Sequence, residues 1–145
     1  MFNTILVAVD ESAAAKEAVR VAVELARVDH AAIVLANVVD VAKLVTVAGY
    51  DSPYPADALD VLTGASQRLL DEFKTKYAPS GVTITTALGE GDAVDEIVRI
   101  ADENSAGLIC IGTHGRTGLA RLFIGSVAEG VLRSARVPVL TVHPN

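Results

Sequence analysis

Three glycines and a serine late in the chain have the residue types and spacing of a phosphate cradle. Two residues separate Gly112 from Gly115, nine separate Gly115 from Gly125, and Ser126 follows directly. A glycine-rich loop running into a helix can aim several backbone N–H groups at one anion, and the positive end of the helix dipole favours negative charge there. Gly112, Gly115 and Gly125 would let the main chain come close to phosphate, and Ser126 can add a hydroxyl donor. Arg116 and Arg121 bring positive charge to a stretch, Thr113 to Ala128, that has no acidic residue. The whole chain carries 12 Lys and Arg against 18 Asp and Glu, so this stretch reverses the sign of the protein around it.

Each of these residues also has a reading that needs no ligand. Ser126 and Glu129 form a Ser-x-x-Glu capping box, which stabilises a helix by about 1 kcal/mol. The glycines can be turn residues. Asp10, at the end of an apolar run, can face a ligand or cap the helix after it. His114 fits a loop better than a catalytic role, and Cys110 fits a buried strand with no neighbour in sequence to lower its pKa. Gly89-Glu90-Gly91-Asp92-Ala93-Val94 begins like a dinucleotide fingerprint, yet it puts two carboxylates at the phosphate position and Val94 where the third glycine belongs. It reads as a turn and helix cap. The chain has no Gly-x4-Gly-Lys-Ser/Thr loop.

The elements that must position these residues alternate. Ile5 to Val9 is a short apolar run ending at Asp10, uniform enough to be a central strand buried on both faces. Ser12 can cap a helix running to about Asp29, with Ala15, Val19, Ala22, Val23 and Ala26 on its inner face. A second strand spans Ala32 to Val39, and Val41 to Pro55 forms an excursion. A helix from about Ala56 ends before Ala78-Pro79-Ser80-Gly81. A strand from Val82 to Leu88 and a turn at Gly89 to Asp92 lead into a helix with Val94, Ile97, Val98, Ile100 and Ala101 inward. A strand from Gly107 to Ile111, a loop from Thr113 to Ile124, a helix from Ser126 to Ala135 and a strand from Val137 to Val142 complete the order. Such alternation implies an α/β fold with a parallel sheet covered on both faces. Ligands of open parallel sheets sit beyond the carboxyl ends of strands where the winding reverses, which would bring Asp10 and the glycine segment to one crevice.

Pro138 falls inside the last strand on this reading, and proline removes a ladder donor, so that strand belongs at an edge. An apolar edge needs covering, and pairing with the same edge of a second copy would do it.

The 145 residues and 51% apolar content suit one domain over residues 1–145. A net charge of −6 gives no broad footprint for nucleic acid. No uncharged run reaches the roughly 18 to 20 residues that span a bilayer. The single cysteine excludes an intramolecular disulfide framework, and the first residues lack a secretory pattern. These features lead us to expect a cytoplasmic protein with neither a membrane nor a nucleic-acid partner.

The Gly112-x2-Gly115-x9-Gly125-Ser126 spacing after Ile109-Cys110-Ile111 resembles the motif of ATP-binding universal stress proteins. The likeness runs along the chain through Ile5 to Asp10, Asn37-Val38-Val39-Asp40, Gly-Thr-His-Gly at 112 to 115, and Val137 to Leu140. It implies a single-domain open sheet of five parallel strands in the order 3-2-1-4-5, with nucleotide between the ends of strands 1 and 4. By the same resemblance Asp10 meets the adenine or ribose end and the Val38 backbone meets adenine. Gly112 and Gly115 lie along ribose and phosphates, Arg116 adds positive charge, and Gly125 and Ser126 hold the phosphate chain. Relatives often have proline at Ala8, glycine at Glu11 and histidine at Asn37. They commonly dimerise through the last strand.

The resulting expectation is an ATP-binding stress-response regulator, with ADP or AMP as alternative ligands and Mg²⁺ held through phosphate oxygens. It would form a homodimer through Val137 to Val142 and act on a protein partner that the sequence does not name. Hydrolysis needs an oriented water and charge matched to the transition state, and no residue is placed for a base. A slow ATPase or nucleotidyl-transfer enzyme and a nucleotide-free interaction module are the two alternatives.

Overall fold

The computed structural model describes residues 1–41, 57–113 and 124–144. In chain order it has β1 (Thr4–Ala8), α1 (Ala13–Asp29), β2 (Ala32–Val39), α2 (Ala58–Tyr77), β3 (Ile84–Glu90), α3 (Ala93–Glu103), β4 (Leu108–Gly112), α4 (Ser126–Ser134) and β5 (Val139–Val142). The strands form one five-stranded sheet, ordered β3-β2-β1-β4-β5, and every pairing is parallel. This is the α/β fold expected from the residue pattern and the strand order that the resemblance implies. Among the described residues no helix is long and apolar enough to cross a membrane.

Successive strand residues face opposite sides, so an apolar run that alternates faces must fill two cores. On one side Ile5, Val7, Ile33, Leu35, Leu108 and Cys110 pack against α1 and the second half of α2, including Leu70 and Phe73. On the other, Leu6, Ala8, Val34, Ala36, Ile109 and Ile111 pack against α3 and α4 through Ile97, Ile100, Ala128 and Val131. Cys110 is fully buried, and desolvation pushes its thiol up to about 12, so it is a core residue and not a nucleophile. The small residue Gly130 lets α4 sit close to α3, since a β-carbon there would lie 2.5 Å from Val94 Cγ2.

Several boundaries differ from the sequence reading. β3 begins two residues later than Val82 and continues through Gly89 and Glu90, which pair with Val38 and Val39. The long partner strand β2 carries the ladder through Gly89, which the sequence pattern places in a turn, and the turn itself shrinks to Gly91-Asp92. β4 is shifted by one residue to include Gly112, and α4 ends at Ser134. The last strand is only Val139–Val142, so Pro138 lies just before it and not inside it. Its carbonyl accepts the Ile109 N–H at 3.0 Å, a ladder contact that needs no N–H from proline. The edge position of β5 stands. The excursion from Val41 to Pro55 lies, beyond Val41 itself, outside the described residues.

Candidate functional site

After β1 the chain runs outward to β2 and β3, then returns to place β4 and β5 on the other side of β1. The reversal therefore falls between β1 and β4, where Ile5 pairs with Leu108 and Ala8 with Ile111. Helices diverge from such a point and leave a crevice beyond the strand ends. A cleft of about 470 Å³ lies there, within the range of small-ligand sites. Its walls include Ala8 to Asp10 after β1, Ala36 to Val38 and Asp40 from β2, Ile111 and Gly112 from β4, and Gly125 to Ala128 at the start of α4.

Five of the predicted site residues, Asp10, Val38, Gly112, Gly125 and Ser126, thus share one cavity. Gly115 and Arg116 lie outside the described residues, as do His114 and Arg121.

The helix starts around the cleft differ in how their first amides are satisfied. The first four N–H groups of a helix have no acceptor within it. At α1, Ser12 Oγ accepts from Ala15 N at 3.1 Å, and at α3, Asp92 Oδ1 accepts from Asp95 N at 3.0 Å. At α4 the capping position is Gly125, which has no side chain to offer. The proposed Ser126–Glu129 capping box does not form, because the helix starts one residue earlier than that motif requires. Ser126 is the first helical residue and is exposed, and the Glu129 carboxylate pairs with Arg133 at 2.7 Å. Among the described residues, no side chain caps the first-turn amides of α4 at the cleft.

Asp10 stands at the end of β1, with Oδ1 accepting the Ser12 N–H at 2.9 Å. Asp10 does not cap α1 itself: it braces Ser12, Ser12 caps the helix, and both residues line the cleft. The charged side chains among the described lining residues are Asp10 and Asp40. Carboxylates accept hydrogen bonds from hydroxyl or amino groups and repel phosphate, so this wall suits the uncharged part of a ligand.

Gly112 lines the cleft and is also constrained by packing. A β-carbon on it would lie 2.5 Å from the Ala14 carbonyl carbon and 2.7 Å from the Ala14 oxygen. The close approach that demands glycine there is to the backbone of α1. Gly125, with φ −58° and ψ 152°, has a conformation open to any residue. Thr113, directly after β4, is buried. Its N–H donates to the Val142 carbonyl at 2.8 Å and its hydroxyl meets His143 Nδ1, which ties the start of the following segment to β5.

Two cleft residues were missed as site candidates. The sequence pattern gives Asp40 and Asn37 no site role beyond their place in the family likeness, yet both line the cleft. Asn37 Nδ2 donates to the Val9 carbonyl at 2.7 Å across the β1–β2 boundary. The available signal was their position at the carboxyl end of a strand beside β1.

The universal stress protein family model matches residues 1–143. The chain belongs to the universal stress protein family. Universal stress protein MJ0531 of Methanocaldococcus jannaschii is 35% identical over 98% of this chain and 82% of its own length. A family member from Burkholderia pseudomallei, solved by crystallography, is 35% identical with a TM-score of 0.76, covering 99% of this chain and 96% of that one. A universal stress protein from Archaeoglobus fulgidus, solved in complex with dAMP, is 25% identical with a TM-score of 0.68 over 96% of each chain. The single-domain α/β fold is the one these solved structures share.

Proposed function

We propose that the chain binds an adenine nucleotide, with ATP as the leading ligand, and serves as a stress-response regulator with little or no hydrolysis. The observation that carries this reading is the polarity of the cleft between β1 and β4. One wall presents the start of α4 at Gly125 and Ser126, where no described side chain caps the first amides, and another presents Asp10. Phosphate suits the first wall and ribose hydroxyls or a base amino group suit the second. The dAMP held by the Archaeoglobus fulgidus relative supports the same ligand class.

In this reading the Gly125 and Ser126 backbone, with the Ser126 hydroxyl, receives the phosphates. Gly115 and Arg116 extend the motif toward them. Asp10 accepts from ribose or base, and the Val38 main chain faces adenine. Mg²⁺ would neutralise phosphate charge and bind through phosphate oxygens and water, where Asp10 and Asp40 already make the cleft acidic. A homodimer through the β5 edge would cover an apolar strand, and Thr113 links that strand to the segment carrying Gly115. Nucleotide occupancy would then change dimer shape or partner choice.

The test is to denature the purified protein, identify released nucleotide by mass spectrometry, and titrate the stripped chain calorimetrically with ATP and Mg²⁺. Stoichiometric adenine nucleotide, or micromolar ATP binding, is the expected result. No released nucleotide and no binding heat would overturn the reading and leave an interaction module.

A further inference from the structure

The β1–β2 ladder ends in a way that the strand pattern alone does not produce. In a parallel strand alternate residues turn both their N–H and C=O to the same neighbour. In β2 the even-numbered residues face β1: the Ala32 N–H donates to the Asn3 carbonyl, and the Ala36 carbonyl accepts the Val9 N–H at 2.8 Å. The odd-numbered residues face β3, as the Ile33 N–H donating to the Thr83 carbonyl and the Val39 carbonyl accepting from Gly91 show. Val38 therefore turns its N–H and C=O to the β1 side. The ladder's next step would be the Val38 N–H donating to the Val9 carbonyl. That acceptor is instead taken by Asn37 Nδ2 at 2.7 Å, and among the described residues no acceptor meets the Val38 N–H.

We propose that Asn37 is a positioning residue for base recognition: its side-chain amide takes the place of the Val38 N–H on the Val9 carbonyl and leaves the Val38 N–H and C=O presented to the cleft. The inference rests on the nucleotide-binding reading above. A donor and an acceptor side by side complement a base edge that carries an amino group next to a ring nitrogen, which adenine has. Hypoxanthine, with a 6-oxo group and a protonated N1, presents the opposite pattern. Asn37 does not touch the base in this scheme. It sets the selectivity of the main chain beside it, and its own contact fixes the Val9 carbonyl immediately before Asp10.

The experiment compares ATP with inosine triphosphate on the full chain, by calorimetry with Mg²⁺, for the unmodified protein, Asn37→Leu and Asn37→His. Leucine has similar bulk and no donor, whereas a histidine ring N–H can still reach a carbonyl. The unmodified chain should prefer ATP by about tenfold or more, the effect of mismatched hydrogen-bonding groups in a partly desolvated site. In Asn37→Leu the ATP affinity should fall roughly five- to tenfold and the ATP preference should collapse toward unity, as the Val38 N–H closes onto Val9. Asn37→His should keep the preference. Equal losses for both nucleotides in Asn37→Leu, or no loss for either, would overturn the proposal.

A measurement without ligand holds even if Asn37→Leu does not fold. In the unmodified protein the Val38 amide should exchange with solvent far faster than those of Val34 and Ala36, which lie in the complete ladder. Slow exchange at Val38 would overturn the inference whatever the nucleotide result. Fast exchange in a chain that binds no nucleotide would sink the functional reading while leaving the ladder geometry intact.

Discussion

Gly112 and Ala14 meet so closely that a single β-carbon on the glycine would lie 2.5 Å from the Ala14 carbonyl carbon. The contact joins the end of β4 to the first turn of α1, and the nearest atoms are the Ala14 backbone and its β-carbon, which cannot swing aside as a long side chain would. One glycine of the motif is thus fixed by packing, independently of any ligand.

Gly112→Ala should therefore lower stability by about 1 to 3 kcal/mol through overpacking against backbone. Denaturant unfolding of the ligand-free protein gives the number. A variant as stable as the parent would show that α1 can move aside freely and that the contact is not restrictive.

Gly125→Val should do the reverse. At φ −58° and ψ 152° valine is conformationally acceptable, so the fold should survive. The added side chain would stand where phosphate has to approach the α4 amides, and ATP affinity should fall more than roughly tenfold, beyond the loss of one charge-assisted hydrogen bond. A folded Gly125→Val protein with unchanged ATP affinity refutes the cradle.

Asp29, the last residue of α1, accepts the Phe2 N–H at 2.8 Å, and that backbone bond holds its carboxyl below the ordinary aspartate range. Because the folded pKa lies under the unfolded value of about 3.9, the bond's stabilisation is complete above that value and is lost as pH falls through the folded pKa. Unfolding midpoints of the parent and of Asp29→Asn should differ at pH 6 and converge as pH falls through the folded pKa. A difference that stays constant across that range would contradict the linkage.

Much of this architecture is legible in the residues because burial on both faces leaves a plain record. The runs Ile5 to Val9 and Ala32 to Val39 announce β1 and β2, and the 3.6-residue spacing from Ala15 to Ala26 announces α1. The misreadings share one cause, which is that local residue preference gave way to a distant partner. Gly89 looks like a strand breaker until Val38 is beside it. Ser126 and Glu129 look like a capping box until Gly125 takes the capping position. The bonds from Asn37 to Val9 and from Thr113 to His143 join residues far apart in the chain, and no local pattern announces either. The composition of the cleft was legible at Asp10, Gly125 and Ser126; the partnership that frees the Val38 main chain was not.

The pairing of Ile5 with Leu108 also has a bearing on how the protein is made. The first strand leaves the ribosome long before its neighbour on the cleft side has been translated, and the α4 start comes later still. A nascent chain can build β1, α1 and β2 by local pairing, but it has no complete pocket until Gly125 and Ser126 emerge. Long-range closure of this kind is the slow step of a parallel sheet. A ligand held between β1 and α4 would therefore stabilise finished molecules and give nothing to truncated ones, adding by mass action to the population of full-length folded protein.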